Sequence, residues 1–189
     1  MSILKEFANA LLKEVRKNID RIDEKTINKI VDVIRNADRV IVVGVGRSFV
    51  VARDFAIRLV QLGINVSLAG EEVSDVYLPI RGERDVVFAI SGSGETEEVI
   101  DVCSIAHERG ATVIAVTSYP DSTLGKLADY IVEVKGRVKP RASPPMKEFP
   151  DYMSGEPIDT ISLRGALFEV SAMVILEGLA AEIAARVRK

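Results

Sequence analysis

Small and hydroxyl-bearing residues follow a short apolar run near the middle of the chain, and their types suit the binding of a phosphate. The run Val86–Ile90 is too short for an independent helix and is bounded by charge and by glycine, so it is predicted to be a strand buried on both faces. Glycine lets the main chain approach a ligand, hydroxyl groups bind phosphate oxygens, and the N–H groups of a following helix point at the same place. The candidate phosphate-binding residues are Ser91, Gly92, Ser93, Gly94 and Thr96.

An ordinary strand–helix loop explains the same residues, because serine and threonine commonly cap helices. The turn by itself leaves both interpretations open. The acidic residues that follow, Glu95, Glu97 and Glu98, interact well with a helix dipole but would repel a dianion that they faced. The phosphate interpretation therefore requires these carboxylates to point mainly outward.

A second glycine-containing turn, Gly44–Ser48, follows the strand predicted at Arg39–Val43. A glycine-containing turn after a strand can bind a dinucleotide. The dinucleotide-binding fingerprint needs another glycine where this chain has Phe49, and therefore dinucleotide binding is not supported. Arg47 offers a charged fork of donors and Ser48 a hydroxyl at a helix start, and both suit a terminal phosphate or a sugar oxygen. The alternative is that Ser48 only caps the helix and that Arg47 extends into solvent.

A carboxyl group lies in an otherwise apolar setting near the end of the chain. Glu169 stands between Phe168 and Val170 in a helix predicted over Leu163–Val187, which is apolar on nearly all sides and is expected to be buried, often by a second subunit. A carboxyl among apolar side chains is desolvated, and such groups act as general bases near neutral pH. The alternative, which the periodicity favours, is a glutamate near a helix start that the helix dipole stabilises.

The single histidine and the single cysteine are not assigned to the site. His107 lies about three helical turns, or roughly 18 Å, beyond the serine–glycine turn, so only the site of a neighbouring subunit could use it. Cys103 has the helical spacing of a core residue.

Alternating strands and helices predict the elements that position these residues. Helices are predicted over Ile3–Val15, after a cap at Asp23, from about Ser48 to Leu62, from Glu95 onward and over Leu124–Leu127. Strands are predicted at Arg39–Val43, Asn65–Ala69, Val86–Ile90, Thr112–Val116 and Tyr130–Val134. Their order predicts an α/β fold with a doubly wound five-stranded parallel sheet in the order 2-1-3-4-5. The connection from Lys135 to about Ile161 contains five prolines and is either a lid over the site or a tether for the last helix.

Composition restricts the class of protein. The 189 residues are expected to form one domain, and the net charge of −3 makes nucleic acid an unexpected partner. One cysteine and one histidine leave no disulfide framework and almost no zinc ligands, and this fits a reducing cytoplasm. No apolar span of about 18 residues occurs, so no membrane span is expected, and Met1–Leu12 lacks the pattern of a signal peptide.

Four segments in this order resemble the SIS (sugar isomerase) domain family, and within it the 6-phospho-3-hexuloisomerases. They are Gly44–Ser48, Ser91–Thr96, Thr117–Asp129 and Gly165–Glu169. The resemblance implies a flavodoxin-like fold and interconversion of D-arabino-hex-3-ulose 6-phosphate and fructose 6-phosphate without a cofactor. It also implies a homo-oligomer, with a tetramer favoured, whose sites lie near subunit interfaces.

The resemblance further assigns roles to individual residues. Ser91, Ser93 and Thr96, with the amides of Gly92 and Gly94, would hold the phosphate. Gly46, Arg47, Ser48 and the Gly70–Glu71 pair would line the same crevice, and Glu169 would be the base, with Arg47 or Ser48 polarising the substrate. Two segments depart from the family pattern, at Leu163–Ala166 and at Glu72, so an isomerase for another sugar phosphate and a non-catalytic phosphosugar sensor stay open as alternatives.

Overall fold

The computed structural model describes residues 2–69, 79–137 and 158–187, and within the last range the side chains of residues 166–186. The strands are β1 (Arg39–Gly44), β2 (Val66–Ala69), β3 (Asp85–Ile90), β4 (Thr112–Thr117) and β5 (Tyr130–Glu133). The helices are α1 (Ile3–Ile19), α2 (Glu24–Asn36), α3 (Arg47–Gln61), α4 (Glu97–Glu108), α5 (Thr123–Leu127) and α6 (Ile158–Val187). In the described ranges, no helix is both long enough and apolar enough to cross a bilayer.

The strands form one parallel sheet in the order β2-β1-β3-β4-β5, which confirms the predicted topology. Each residue of β1 and β3 is buried, as expected for strands covered on both faces. Alternate residues of β3 enter different layers of the core. Phe88 contacts the layer formed with α2, α3 and α6, and Val87 contacts the layer formed with α4 and α5.

The last helix begins at Ile158, which is five residues before the predicted start at Leu163. The prediction treated the proline-rich connection as continuing to about Ile161, although no proline follows Pro157 in the sequence. A proline interrupts a helix only where it occurs, and it is tolerated just before or at a helix start, so the segment after Pro157 is free to be helical. Most of the predicted lid or tether, residues 138–157, lies outside the described residues.

Part of the apolar surface of α6 is buried within one chain, and burial of the remainder by a second subunit stays a prediction. Leu176, Leu179 and Ile183 are buried within one chain, in the layer that includes α2 and α3. The asparagine Asn18 at the end of α1 also holds α6, because its side-chain amide donates to the Ser171 hydroxyl at 2.9 Å. A single chain therefore supplies the surroundings that position the central part of α6.

A buried ion pair joins the two central strands at the amino edge of the sheet. The Arg39 guanidinium lies 2.6 Å from the Asp85 carboxylate, and the two residues are register partners at the starts of β1 and β3. Burial of the Asp85 carboxyl acts to raise its pKa, but the hydrogen bonds from Arg39 and from the Arg81 N–H outweigh this and leave the pKa below its ordinary value. A cavity of about 490 Å³ opens at this edge, and its lining charges largely pair with one another.

Replacing Asp85 by asparagine should reduce the free energy of unfolding at pH 7 by about 3–5 kcal/mol, because it leaves the Arg39 charge buried without a partner. Since the folded pKa of Asp85 is lowered, its contribution is present above the unfolded value of about 3.9 and is lost as the pH falls through the folded pKa. Urea unfolding at several pH values measures this difference, which should shrink below about pH 4. The control Asp38→Asn breaks the exposed pair with Arg84 and should cost less than about 1 kcal/mol. Equal losses in the two variants would contradict the assignment.

Candidate active site

Two helices begin beside each other at the carboxyl edge of the sheet. The ends of β1 and β3 are register partners, and α3 and α4 leave them toward opposite faces, which makes this the point where an open α/β sheet forms a crevice. The N-cap of α3 is Gly46, which has no side chain to cap with, and the N-cap of α4 is Thr96, whose side chain makes no capping bond. Both helix starts therefore direct N–H groups without side-chain caps toward one crevice, which suits an anion.

The hydroxyl groups of the serine–glycine turn bind one another instead of capping α4. Ser91 Oγ lies 2.9 Å from Thr96 Oγ1, and Ser91 Oγ also accepts a hydrogen bond from the Gly94 N–H at 3.2 Å. Ser93 Oγ accepts from the N–H of Glu95 at 3.2 Å and is partly exposed. The interpretation of the turn as an ordinary capping loop is therefore wrong for α4, and phosphate binding by these residues stays a prediction.

The acidic residues after the turn are exposed, and the one nearest to it is engaged by another helix. Glu95, Glu97 and Glu98 are exposed. The Glu95 carboxylate accepts hydrogen bonds from the N–H and the hydroxyl of Thr123, at 3.0 and 2.7 Å, at the start of α5. The carboxylate nearest to the turn is thus held by hydrogen bonds at the start of α5, and the exposure of all three is compatible with phosphate binding.

The glycines of the turn have a packing role that the sequence analysis missed. A Cβ atom on Gly92 would lie 2.9 Å from the ring of Phe168, so only glycine allows α6 to pack this closely on the turn. Gly94 has φ of +67°, and a Cβ there would collide with the Ser122 side chain. The side of both residues that lacks a side chain therefore faces protein, and the Gly94 N–H is already donated to Ser91.

The carboxyl group of Glu169 is buried next to this packing contact. Glu169 follows Phe168 on α6, is 6% exposed, and its Oε2 atom is buried without a hydrogen-bond partner among the described residues. It lies about three turns after the start of α6, so the alternative of a helix-start glutamate stabilised by the dipole is wrong. A buried polar atom without a partner is unusual in a folded protein and marks Glu169 as a candidate functional residue.

Two arginines lie near this carboxylate, and neither forms a hydrogen bond with it. Arg47 Nη2 is 3.8 Å from Oε2, and Arg137 Nη1 is 3.9 Å from Oε1. The side chains of Arg47 and Arg137 are 57% and 48% exposed, whereas that of Glu169 is 8% exposed. The candidate site therefore combines one buried carboxylate with two cations that are about half exposed.

Sequence analysis did not find Arg137, because it falls where the strand pattern ends. Its N–H donates to Ser118 Oγ at 3.1 Å, and its carbonyl accepts from Tyr119 Oη at 2.5 Å. The chain just before it is held by Asn18, whose side chain exchanges hydrogen bonds of 2.8 and 3.0 Å with the main chain of Lys135. The sequence feature that could have indicated this segment is Asn18. It is a polar residue in the apolar stripe of α1, three residues after Val15.

The other predicted residues are placed as follows. Ser48 is buried in the first turn of α3 and is not its cap, which corrects the capping alternative. Gly46 has φ of +59°, and the space where its Cβ would lie is open. Glu71 and the rest of the Gly70–Glu72 segment lie outside the described residues.

His107 and Cys103 lie away from the turn. His107 is exposed in the last turn of α4, at the end opposite to the serine–glycine turn. Burial raises the pKa of the Cys103 thiol to about 12, so this core cysteine remains protonated near neutral pH. No group of three or more potential metal ligands is present among the residues that the structure describes.

Comparison with known proteins relates the chain to one family. The sequence model of the SIS domain matches residues 33–154. An uncharacterised protein of Archaeoglobus fulgidus is 34% identical over 177 residues, which are 94% of this chain and 88% of that protein. A 3-hexulose-6-phosphate isomerase of Methylomonas aminofaciens is 31% identical over 180 residues, which are 95% of this chain and 90% of that protein.

A solved structure shares the fold. It is a hypothetical protein from Methanococcus jannaschii for which a molecular function of 3-hexulose-6-phosphate isomerase has been inferred. It is 28% identical, with a TM-score of 0.68 over 98% of this chain and 90% of that chain.

Replacing Gly92 by alanine should weaken both the fold and the binding of phosphate, because the new methyl group displaces the Phe168 ring or the turn. We expect a loss of about 1–3 kcal/mol in the free energy of unfolding and weaker binding of inorganic phosphate by titration calorimetry. The control is Gly178→Ala in α6, where the space for a Cβ is open, and it should be neutral or stabilise by up to about 1 kcal/mol. Unchanged phosphate binding in the Gly92 variant would show that the turn does not hold the anion.

Proposed function

Because the chain belongs to the SIS domain family, we propose that it is a phosphosugar isomerase that interconverts D-arabino-hex-3-ulose 6-phosphate and fructose 6-phosphate. The observation that carries the proposal is the Glu169 carboxylate. It is buried with one oxygen unpartnered, and it adjoins the Phe168 ring that packs on the serine–glycine turn. The named isomerase relative and the inferred function of the related structure support the same reaction.

The reaction moves a carbonyl group between C3 and C2 and needs no net oxidation. The base removes the proton from C2 of the hex-3-ulose, the electrons of that C–H bond form a C2–C3 double bond, and the C3 oxygen receives the negative charge. The proton of the C2 hydroxyl passes to the C3 oxygen, which becomes a hydroxyl, and a proton then returns to C3 as the C2 oxygen becomes the carbonyl. A single base with a donor for the enediolate oxygen can perform both carbon proton transfers.

The described residues suit the parts of this mechanism. The turn Ser91–Thr96 and the starts of α3 and α4 would bind the phosphate, far from the reacting carbons, and would use that remote binding energy to orient them. Glu169 would be the base, and Arg47 would polarise the carbonyl at the mouth of the site. Gly46 and Ser48 would line the same crevice, together with Glu71.

We also propose that the chain forms a homo-oligomer, with a tetramer favoured and with sites near its subunit interfaces. Exposed apolar side chains on α3, those of Val50, Ile57 and Val60, support an interface on that helix. Sedimentation equilibrium should give a multiple of the 20.6 kDa chain mass, and Ile57→Asp should lower it. A monomer at micromolar concentration would contradict the proposal.

Replacing Glu169 by glutamine should abolish proton transfer and leave substrate binding. In deuterated water, NMR should show the wild type placing solvent deuterium at C3 of fructose 6-phosphate. The variant should do so about 10²–10⁴-fold more slowly, with similar affinity by calorimetry. The matched control is Glu177→Gln, two turns further along α6, which loses only an exposed pair with Arg58 and should exchange at the wild-type rate.

The outcomes separate the proposal from its alternatives. Near-normal exchange in the Glu169 variant would overturn the assignment of the base. Saturable binding of fructose 6-phosphate by the wild type without any exchange would indicate a phosphosugar sensor. Exchange on a different ketose phosphate, and none on fructose 6-phosphate, would indicate an isomerase for another substrate.

A further inference from the structure

We propose that Arg137 is a second catalytic cation, and that it and Arg47 stabilise different oxygens of the enediolate. The inference rests on the proposed isomerisation and assigns a role to a residue that neither the sequence motifs nor the comparisons identify. It concerns how the negative charge is carried as the carbonyl moves between adjacent carbons.

The geometry around Glu169 separates the two arginines. Arg47 comes from the first turn of α3 and approaches Oε2, whereas Arg137 comes from the extension of β5 and approaches Oε1. At 3.8 and 3.9 Å, both distances exceed the roughly 2.7–2.9 Å of a charge-assisted hydrogen bond. Neither guanidinium uses its donors on the carboxylate, so each can donate to an oxygen of a ligand that binds beside it. Both side chains are about half exposed, so a substrate can reach them.

Hydrogen bonds and close packing hold the main chain of Arg137 in place, although its side chain is about half exposed. Its N–H and carbonyl are bound by Ser118 and Tyr119, as described above. The preceding residue, Gly136, has φ of +150°, and a Cβ there would lie 2.6 Å from the main-chain nitrogen of Phe168. Close packing against α6 thus directs Arg137 to Glu169 through its backbone alone. Changes to its side chain should leave this segment in place.

The chemistry requires donors at two positions. When the proton leaves C2 of the hex-3-ulose, the charge develops on the C3 oxygen. When the proton leaves C3 of fructose 6-phosphate, it develops on the C2 oxygen. The same enediolate can give either sugar. Protonation at C2 makes the C3 oxygen the carbonyl, and protonation at C3 makes the C2 oxygen the carbonyl. One cation at each oxygen stabilises both directions, whereas a single cation would favour one of them.

The test measures how the enediolate partitions between its two products. The reaction starts from fructose 6-phosphate in deuterated water and is followed by NMR. Incorporation of deuterium at C3 measures exchange, and formation of the hex-3-ulose phosphate measures isomerisation. Arg47→Lys and Arg137→Lys should slow turnover, and they should shift the ratio of exchange to isomerisation in opposite senses, by about tenfold each. That is the effect of losing one charge-assisted hydrogen bond. The matched control, Lys135→Gln, removes a cation two residues away that pairs with Glu133 and should change neither rate nor ratio.

A second variant tests the inference even if the lysine variant of Arg137 is inactive. Arg137→Ala should lose most isomerisation and recover part of it when guanidinium chloride is added at millimolar concentration, without change in the unfolding midpoint. The inference is overturned if the Arg137 variants keep the wild-type ratio, if both arginine variants shift it in the same sense, or if guanidinium gives no recovery. Absence of exchange by the wild-type protein would instead overturn the proposed function, and this inference with it.

Discussion

The close packing of the Phe168 ring against Gly92, which leaves no room for a Cβ, is the constraint on which the candidate site depends. It joins the last helix to the turn after the central strand, and Glu169 is the next residue along that helix. This packing therefore sets the separation between the turn, which is the proposed phosphate site, and the Glu169 carboxylate. A rigid contact of this kind orients a reacting carbon against a base, because the position of the remote phosphate is transmitted through packed atoms.

The buried carboxylate is balanced by charge rather than by hydrogen bonds. Glu169 Oε2 has no hydrogen-bond partner among the described residues, yet two guanidinium groups lie just under 4 Å from the carboxylate oxygens. An isolated buried carboxylate would be costly, and nearby cations reduce that cost without occupying its acceptor positions. The same cations are exposed enough to bind a substrate. The same two residues thus reduce the cost of burying the carboxylate and, in the proposed mechanism, polarise the substrate.

The sequence was informative about the fold because hydrophobic periodicity and turn residues are local signals. Five short apolar runs with intervening helical patterns led to the correct strand order, and Asp23 was correctly expected to cap α2. The candidate site was less accessible, because its geometry depends on contacts between residues far apart in sequence. Arg137 lies 32 residues before Glu169 in a stretch without periodicity, and the packing of Gly92 on Phe168 has no local signature. Residues of unusual type, such as those of the serine–glycine turn, could be identified from the sequence. The residues that position them could not, because the contacts that they make join distant parts of the chain.

A crystal structure with fructose 6-phosphate tests the central claim most directly. The account predicts that the phosphate oxygens lie within hydrogen-bond distance of the N–H and hydroxyl groups of Ser91–Thr96. It also predicts that C2 and C3 lie against the Glu169 carboxylate, with their oxygens within reach of the two guanidinium groups. A sugar phosphate bound elsewhere, with this turn unoccupied, would contradict it. So would a bound sugar whose C2 and C3 lie beyond the reach of the Glu169 carboxylate.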